Sequence, residues 1–510
     1  MTTTPTPSRT PYRSALHPTR AGFPGLLRAE WTKFRTVRAW PLVLAVAAAV
    51  TVVISQLGAA GSSFGGGPEV TVGPDGTVVT DAFHFTHRPL TGDGSLTARV
   101  TGLRSADGRD IEPWAKAGLM VKRSLDPGAP YAAVMTTPEH GVRMQWNFTH
   151  DTAGDGGGTA AWLRLTRSGD RLTGYESGDG RTWHRITEVR LDGLPRTVQV
   201  GLFVATPAHQ VLRRSFGGTT EVFGGGSVTA AFDGPALRGT STGAGWTSTD
   251  VGGPVPNGPT PADAEPGRTR VSATGTHTLT GRGDVAPDES LGDPVQMSFQ
   301  GVFVGVLFMV ALGALFVTSE YKRGLIRTTF TATPSRTRVL AAKTLVVTAV
   351  TFAVSLPATA LSFTLAQSRL RTNGYRPPAF PDLSLLDTPA LRAVVGSAAL
   401  LSLVAVLALA VGVLLRTSAG AIAAVVVLVV LPQILAFALP LPAAHWLLRL
   451  TPAAAFAIQQ GVTYYPQVEH NCLPESGCYP MTPWGGLSVL AAYAGLALLL
   501  AAWRLRGRDA

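Results

Sequence analysis

The chain has 510 residues, room for two or more domains, and a formal net charge of +11. Hydrophobic residues make up 45% and charged residues 15%, with a mean hydropathy of +0.21, more apolar than a soluble protein of this size. The basic residues gather beside apolar stretches and no basic stripe is interleaved with aromatics. This favours anionic lipid headgroups as the partner surface and sets nucleic acid aside.

Residues 1–25, rich in Thr, Pro, Ser and Arg, read as a disordered cytoplasmic tail without the apolar core of a signal peptide. Leu26 to Trp40 reads as an amphipathic helix. Leu27, Trp31 and Phe34 fall on one stripe, flanked by Arg28, Lys33 and Arg35, as in a helix lying in the headgroup plane. An ordinary basic flank of a membrane helix makes the same topology prediction. Trp40 to about Ala60 is charge-free and long enough to cross a bilayer, so residues 26–60 form an interfacial helix and a first span.

Residues 61–294 lack any apolar span and carry a β pattern. Val142, Met144 and Trp146 alternate with Arg143 and Gln145, and Leu163 and Leu165 with Arg164 and Thr166. Turn signals recur at Gly92-Asp93-Gly94, Asp126-Pro127-Gly128, Ser168-Gly169-Asp170 and Ser177-Gly178-Asp179-Gly180. Together these predict an all-β antiparallel sandwich, with Pro254 to Gly267 as linker and Val271 to Leu279 as a last docking strand. The stretches Gly92 to Val100, Ala117 to Arg123, Tyr131 to Met135 and Val200 to Val204 resemble framework strands of concanavalin A-like jelly rolls, which bind or cleave glycans. Trp146 and Trp162, on alternating strands, read as core. Trp114 and Trp183, beside loops, stay open between core and glycan contact. A glycosidase needs two carboxylates held across a cleft. Glu112, Glu139, Glu176 and Glu188 read instead as solvated surface acids.

Met297 to Thr318 is a second charge-free span. It runs into a basic segment, residues 319–343, in which Lys322, Arg323, Arg327, Arg336, Arg338 and Lys343 face one acid, Glu320. The positive-inside rule makes this loop cytoplasmic. Further spans follow at Thr344 to Ser368 (with Pro357 as an expected kink), Ala393 to Leu415, Ala421 to about Leu439 and Trp484 to Trp503. His445 to Gln460 either lies at the outer surface or re-enters. Six spans place both termini in the cytoplasm and residues 61–294 outside, in the plasma membrane. In the outer loop 440–483 lie the only two cysteines, Cys472 and Cys478, too few ligands for a metal. A disulfide is the expected state there, with two unpaired thiols as the alternative.

The string Thr318-Ser319-Glu320-Tyr321-Lys322-Arg323-Gly324-Leu325-Ile326-Arg327-Thr328-Thr329, followed by Arg336 and Arg338 to Lys343, resembles the first cytoplasmic loop of actinobacterial ABC-2-type transporter permeases. Leu27 to Arg38 resembles the interfacial helix of the same family. The resemblance implies that residues 319–343 hold a short coupling helix touching a separate ATPase subunit, with Glu320, Tyr321, Arg323, Gly324 and Arg327 as its contacts. It also implies a second permease half in the assembly, with ATP and magnesium bound by the ATPase and no cofactor in this chain.

Two absences sharpen the expectation. No Asp, Glu, Lys or Arg falls within the six spans as drawn, which disfavours ion-coupled carriers and charged-ring channels. None of the five lysines follows a glycine, so the chain has no P-loop and is not itself the ATPase. The leading expectation is therefore a non-enzymatic ABC-2-type permease, an α-helical polytopic membrane protein with an inserted jelly-roll sandwich. A membrane-anchored extracellular glycan or cell-wall sensor is the alternative.

Overall fold

A helix satisfies its own backbone, so runs of Leu, Val and Ala without charge become helices wherever water is scarce. Among the described residues six helices are long and apolar enough to cross a membrane: α2 (Ala39–Gly61), α4 (Gln300–Lys322), α6 (Arg336–Thr372), α7 (Thr388–Leu415), the pair α8 (Ser418–Val429) and α9 (Leu431–Ala436), and α11 (Pro483–Arg506). The shorter helices are α1 (Phe23–Thr36), α3 (Pro294–Met297), α5 (Leu325–Ala332) and α10 (Leu441–Leu450). The computed structural model describes residues 22–64, 70–106, 108, 110–155, 161–215, 218–224, 226–241, 245–252, 265–288, 292–332, 335–468, 472–473 and 477–506. The expected N-terminal tail up to residue 21, and residues 253–264 of the expected linker, lie outside the described residues.

α4 and α7 form the centre of the bundle, and glycines let them approach their neighbours closely. A Cβ on Gly301 would stand 1.9 Å from the Thr51 carbonyl of α2, and one on Gly313 would stand 2.1 Å from that of Ala405 on α7. α6 runs through Pro357 without interruption for 37 residues, about 55 Å at 1.5 Å per residue. It therefore extends well past the expected span at its N-terminal end. The expected fifth span is instead broken at Val430, because Pro432 has no N–H to continue the ladder. The 3₁₀ segment Pro452–Gln459 is buried at all eight positions, with Phe456 against Phe303 of α4. This stretch therefore packs into the helical bundle.

The β domain has the strands β1 (Val79–Asp81), β2 (Phe83–Ser105), β3 (Lys116–Lys122), β4 (Tyr131–Thr137), β5 (Gly141–Trp146), β6 (His150–Ala153), β7 (Ala161–Ser168), β8 (Arg171–Ser177) and β9 (His184–Arg190). They are followed by β10 (Thr197–Ala205), β11 (His209–Ser215), β12 (Gly218–Gly224), β13 (Val228–Thr240), β14 (Thr247–Val251), β15 (Arg268–Val271), β16 (His277–Gly281) and β17 (Val285–Pro287). β2 is 23 residues long and belongs to both layers. Its first half pairs with β14 and β10, continuing through β3, β4, β5 and β6. Its second half pairs with β13 and β7, leading to β16 and β15 on one side and β8 and β9 on the other. The result is a barrel-like sandwich.

Gly92-Asp93-Gly94 is consequently not a turn between strands. Gly92 adopts φ +74° and bends one continuous strand from one layer into the other. Val271 to Leu279 is likewise not a single strand but the β15–β16 hairpin, turned at Gly275 with φ +82°.

Leu96, Leu119, Val121, Leu163, Leu165 and Leu202 fill the space between the layers. The front layer is buried on its other face too, by Phe83, Phe85, Met120, Tyr131, Phe148 and Phe203, which explains why β3 is buried at every position. On that second face lie Lys116 and Lys122, both 0% exposed. Six residues apart on one strand, they share Met120's side. Lys122 Nζ pairs with Asp81 Oδ2 at 2.6 Å, and Lys116 pairs with Asp284 and donates to the Val285 carbonyl at 3.0 Å. The two lysines thus clamp the β1–β17 ribbon onto the sheet.

Candidate functional site

The basic segment expected to be a loop is mostly helix. α4 continues through Glu320 and Tyr321 to Lys322, Gly324 makes a sharp turn at φ +69°, α5 follows, and α6 already begins at Arg336. The turn prevents Glu320, Arg323 and Arg327 from sharing one helix face. A Cβ on Gly324 would meet nothing within 4 Å, so the glycine serves its dihedral angle and not a close approach.

Glu320 is also not a surface residue. It is 8% exposed, and its Oε1 lies 2.7 Å from Lys343 Nζ and 3.3 Å from Lys33 Nζ. Lys343, read from sequence as a topogenic loop charge, is 2% exposed within α6 and reaches Glu30 Oε2 of α1 at 2.7 Å. Glu30 in turn holds Lys33 at 2.9 Å. Two carboxylates and two ammoniums therefore alternate among α1, α4 and α6, and each carboxylate touches both cations. Burial alone would lower the Lys33 ammonium, but Glu30 and Glu320 together hold it above its ordinary value.

Aromatic rings cover the cluster. Phe316, one turn before Glu320, lies 5.0 Å from Lys343 Nζ and packs against Phe34 and Trp40 at 5.8 Å each. This rearranges the expected stripe on α1. Leu26, Glu30 and Phe34 face inward, Leu27 is half-buried, and Trp31 is 46% exposed. The repeat of apolar residues suggested the helix, but its inward face is centred on a carboxylate that sequence reasoning passed over.

Neighbouring basic residues tie helix ends together. Arg416 caps α7 in the left-handed region at φ +60° and lies 5.4 Å over the Tyr321 ring. Arg504 donates to the Leu414 carbonyl at 2.7 Å and Arg336 to that of Leu505 at 3.3 Å, each meeting the negative end of a helix. Lys322 and Arg323 remain exposed. Arg327 lies on α5, and its side chain falls outside the described residues.

The other expected site residues lie elsewhere. Cys472 and Cys478 are joined in a disulfide, anchored to α10 by His445 Nε2, 2.7 Å from the Cys472 carbonyl. Trp114 has no free face for a sugar. It is 4% exposed, with His140 stacked at 3.9 Å and the Arg143 guanidinium 5.5 Å from the ring. Trp183 is half-buried with the Arg164 guanidinium 3.8 Å over it. Glu176, expected to be a solvated acid, is 5% exposed and accepts from the Asp155 N–H at 2.6 Å. On the same domain, Asp250, His84 and Thr269 line up through contacts of 2.6 and 2.8 Å. Thr269 is further bonded to Thr86, so the chain acts as a polar seam fastening β14 and β15 to β2. Among the described residues no cluster of His, Cys, Asp and Glu is arranged to hold a metal.

The chain matches no family model and no curated protein. Solved structures similar to it include a functionally unknown protein from Saccharomyces cerevisiae, 16% identical at TM-score 0.21, covering 39% of this chain and 99% of that one. Others are SCP-B, a member of the eqolisin family of peptidases, in complex with a tripeptide (8% identical, TM-score 0.24, 40% and 98% covered), and scytalido-glutamic peptidase with a transition state analog inhibitor (9%, TM-score 0.26, 40% and 99%). None reaches a likeness from which an activity can be transferred.

Proposed function

We propose that the chain is the membrane-spanning permease subunit of an ABC-2-type exporter, paired with a second permease half and driven by a separate ATPase that binds ATP and magnesium. Its six apolar helices would sit in the plasma membrane with both termini cytoplasmic and the jelly-roll-like sandwich outside. Large exposed apolar side chains on these helices, among them Leu42, Leu57, Leu361, Val427 and Leu499, support the membrane reading, since water would penalise them.

The observation that carries the proposal is the α4–α5 elbow standing on the buried charge cluster. Lys322, Arg323 and Gly324 are exposed at the turn, while Glu320 directly beneath is locked to α1 and α6. A subunit pressing on α5 would push on three helices at once through ion pairs that resist shear. The docking contacts are assigned to Arg323 and to α5, with Glu320 as the anchor behind them.

The test is to purify the full-length protein from native membranes and identify what co-elutes. A Walker-motif ATPase should accompany it and be lost on Arg323→Glu, with the permease still inserted and equally stable. Absence of any ATPase under conditions that preserve membrane complexes would defeat the proposal.

A further inference from the structure

The back layer of the sandwich turns one face away from the core, and strand pairing dictates which residues share it. Arg104 of β2 is paired with Thr229 of β13, Thr229 with Thr280 of β16, and Thr280 with Arg268 of β15. Directly paired residues of antiparallel strands point to the same side, so these four make one row across four strands. Their neighbours Leu103, Ala230 and Leu279 point the other way and are buried in the core. One step further along, Arg270 pairs with Thr278, and Arg282 follows Thr280 on the same side.

This face forms the wall of a cavity of about 700 Å³. At about 4.8 Å between strands, the backbones of Arg104 and Arg268 stand roughly 14 Å apart. The cavity thus has guanidiniums at both ends of this wall and threonine hydroxyls between them, with Thr229 and Thr280 bonded to each other at 2.8 Å.

The charge on these walls is unbalanced. Among the described residues four arginines line the cavity against one acid, Glu265, which pairs with Arg268 at 3.0 Å. Arg104 and Arg270 make no ion pair or hydrogen bond among the described residues, and Arg282 makes no hydrogen bond there, although its charge acts on Asp250. Arginines elsewhere on the domain, such as Arg143, Arg167 and Arg171, are matched with a carboxylate or with carbonyls. Converging cations in a concavity repel one another and raise the local concentration of anions.

We propose that this cavity binds a linear hydroxyl-bearing polyanion, a uronate glycan or a polyol-phosphate chain, with its carboxylate or phosphodiester groups held by Arg104, Arg270 and Arg282 and its hydroxyls by the threonines. Guanidinium forks suit both kinds of anion. The volume, enough for roughly twenty waters at about 30 Å³ each, far exceeds what one inorganic anion fills. Among the described residues no aromatic side chain lines the cavity, so recognition rests on charge and hydrogen bonding and not on the ring stacking that neutral sugars or unpaired bases use. The site stands whether or not the helical bundle transports anything.

The test uses the full-length protein in nanodiscs of phosphatidylcholine, which adds no net charge of its own. Oligogalacturonate, poly(glycerol phosphate), neutral dextran and inorganic phosphate are titrated separately. At least one of the two polyanions should bind, more weakly as salt rises, and dextran and phosphate should not. Which polyanion binds tighter identifies the source of the charge.

Arg104→Glu with Arg270→Glu should weaken binding by about tenfold or more, the corresponding Gln variant less, and Arg185→Glu on β9 by under about twofold. The Gln pair decides the matter if the Glu pair fails to fold. The proposal is overturned if neither polyanion binds, if dextran binds equally, or if the cavity variants lose no more affinity than Arg185→Glu.

Discussion

Lys343 Nζ lies 2.7 Å from Glu320 Oε1, a contact that fixes the start of α6 against the end of α4. Because the same ammonium also reaches Glu30, its loss would leave two carboxylates buried side by side with only the half-exposed Lys33 between them. Breaking a buried pair from one side costs about 3–5 kcal/mol, most of it the uncompensated charge left behind. Lys343→Met should therefore lower the unfolding free energy in detergent by about that amount, and adding Glu320→Gln should recover part of it. If the single variant is as stable as wild type, the carboxylates are reaching water or protons and the cluster is not closed. Glu320→Lys places a third cation in the same cluster, so it reports on folding and cannot separate docking from topology.

How much of this was legible in the sequence follows from range. Spans are local: twenty apolar residues in a row declare themselves, and α2, α4, α7 and α11 lie within a few residues of their expected places. The charge cluster is not local, since Glu30 and Lys343 are 313 residues apart in the chain. In sequence, Lys343 is one more positive charge beside an apolar run, and only the tertiary path of α6 buries it. The bend at Gly92 failed for a different reason. Gly-Asp-Gly signals a backbone able to reach positive φ, and both a hairpin turn and a bend inside one strand need that. Trp114 likewise has a loop-side position in sequence but a partner, His140, that arrives from another loop.

The β3 lysines show the same limit and allow a second prediction. Lys122 and Asp81 both have fully buried side chains, and burial pushes the Asp81 carboxyl up and the Lys122 ammonium down despite their mutual attraction. Lys122→Met should destabilise the protein by about 3–5 kcal/mol at neutral pH. An acid whose folded pKa is raised contributes stability below its unfolded pKa and loses it as pH rises through the folded value. Without Lys122 that value rises further, so the deficit should shrink as pH is lowered toward 4, the ordinary range of Asp. Melting curves of variant and wild type across pH check both the size and the direction. A deficit independent of pH would mean that Met merely packs badly.

The disulfide carries a third prediction. Cys472 and Cys478 are six residues apart, so the bond removes only a short loop's worth of freedom from the unfolded chain. Cys472→Ser with Cys478→Ser should cost about 2 kcal/mol, near the low end for a native bridge. Unfolding of the full chain in urea with and without reductant measures it. In intact cells the thiols should resist alkylation until a reductant is added. Ready labelling without reductant would contradict the bridge.

The last prediction concerns Asp179 in the turn between β8 and β9. Its carboxylate accepts hydrogen bonds from the backbone N–H groups of Thr182 and Arg181, at 2.8 Å each, and from the Ser177 hydroxyl. These donors favour the charged form and bring its pKa down to about 2 from an ordinary 3.8, although the group is fully solvent-exposed. A carboxyl whose folded pKa is depressed contributes stability above its unfolded pKa, and loses it as pH falls through the folded one. Wild type should therefore melt above Asp179→Ala by a constant margin at pH 5 and higher. That margin should narrow steadily as the pH falls from about 4 toward 2, because first the unfolded chain and then the turn itself takes up the proton. Asp179→Asn keeps one acceptor oxygen but cannot titrate, so its own margin below wild type at neutral pH isolates the charge. If the Ala variant trails wild type equally at pH 6 and pH 3, the carboxylate acts through turn geometry alone and its charge contributes nothing.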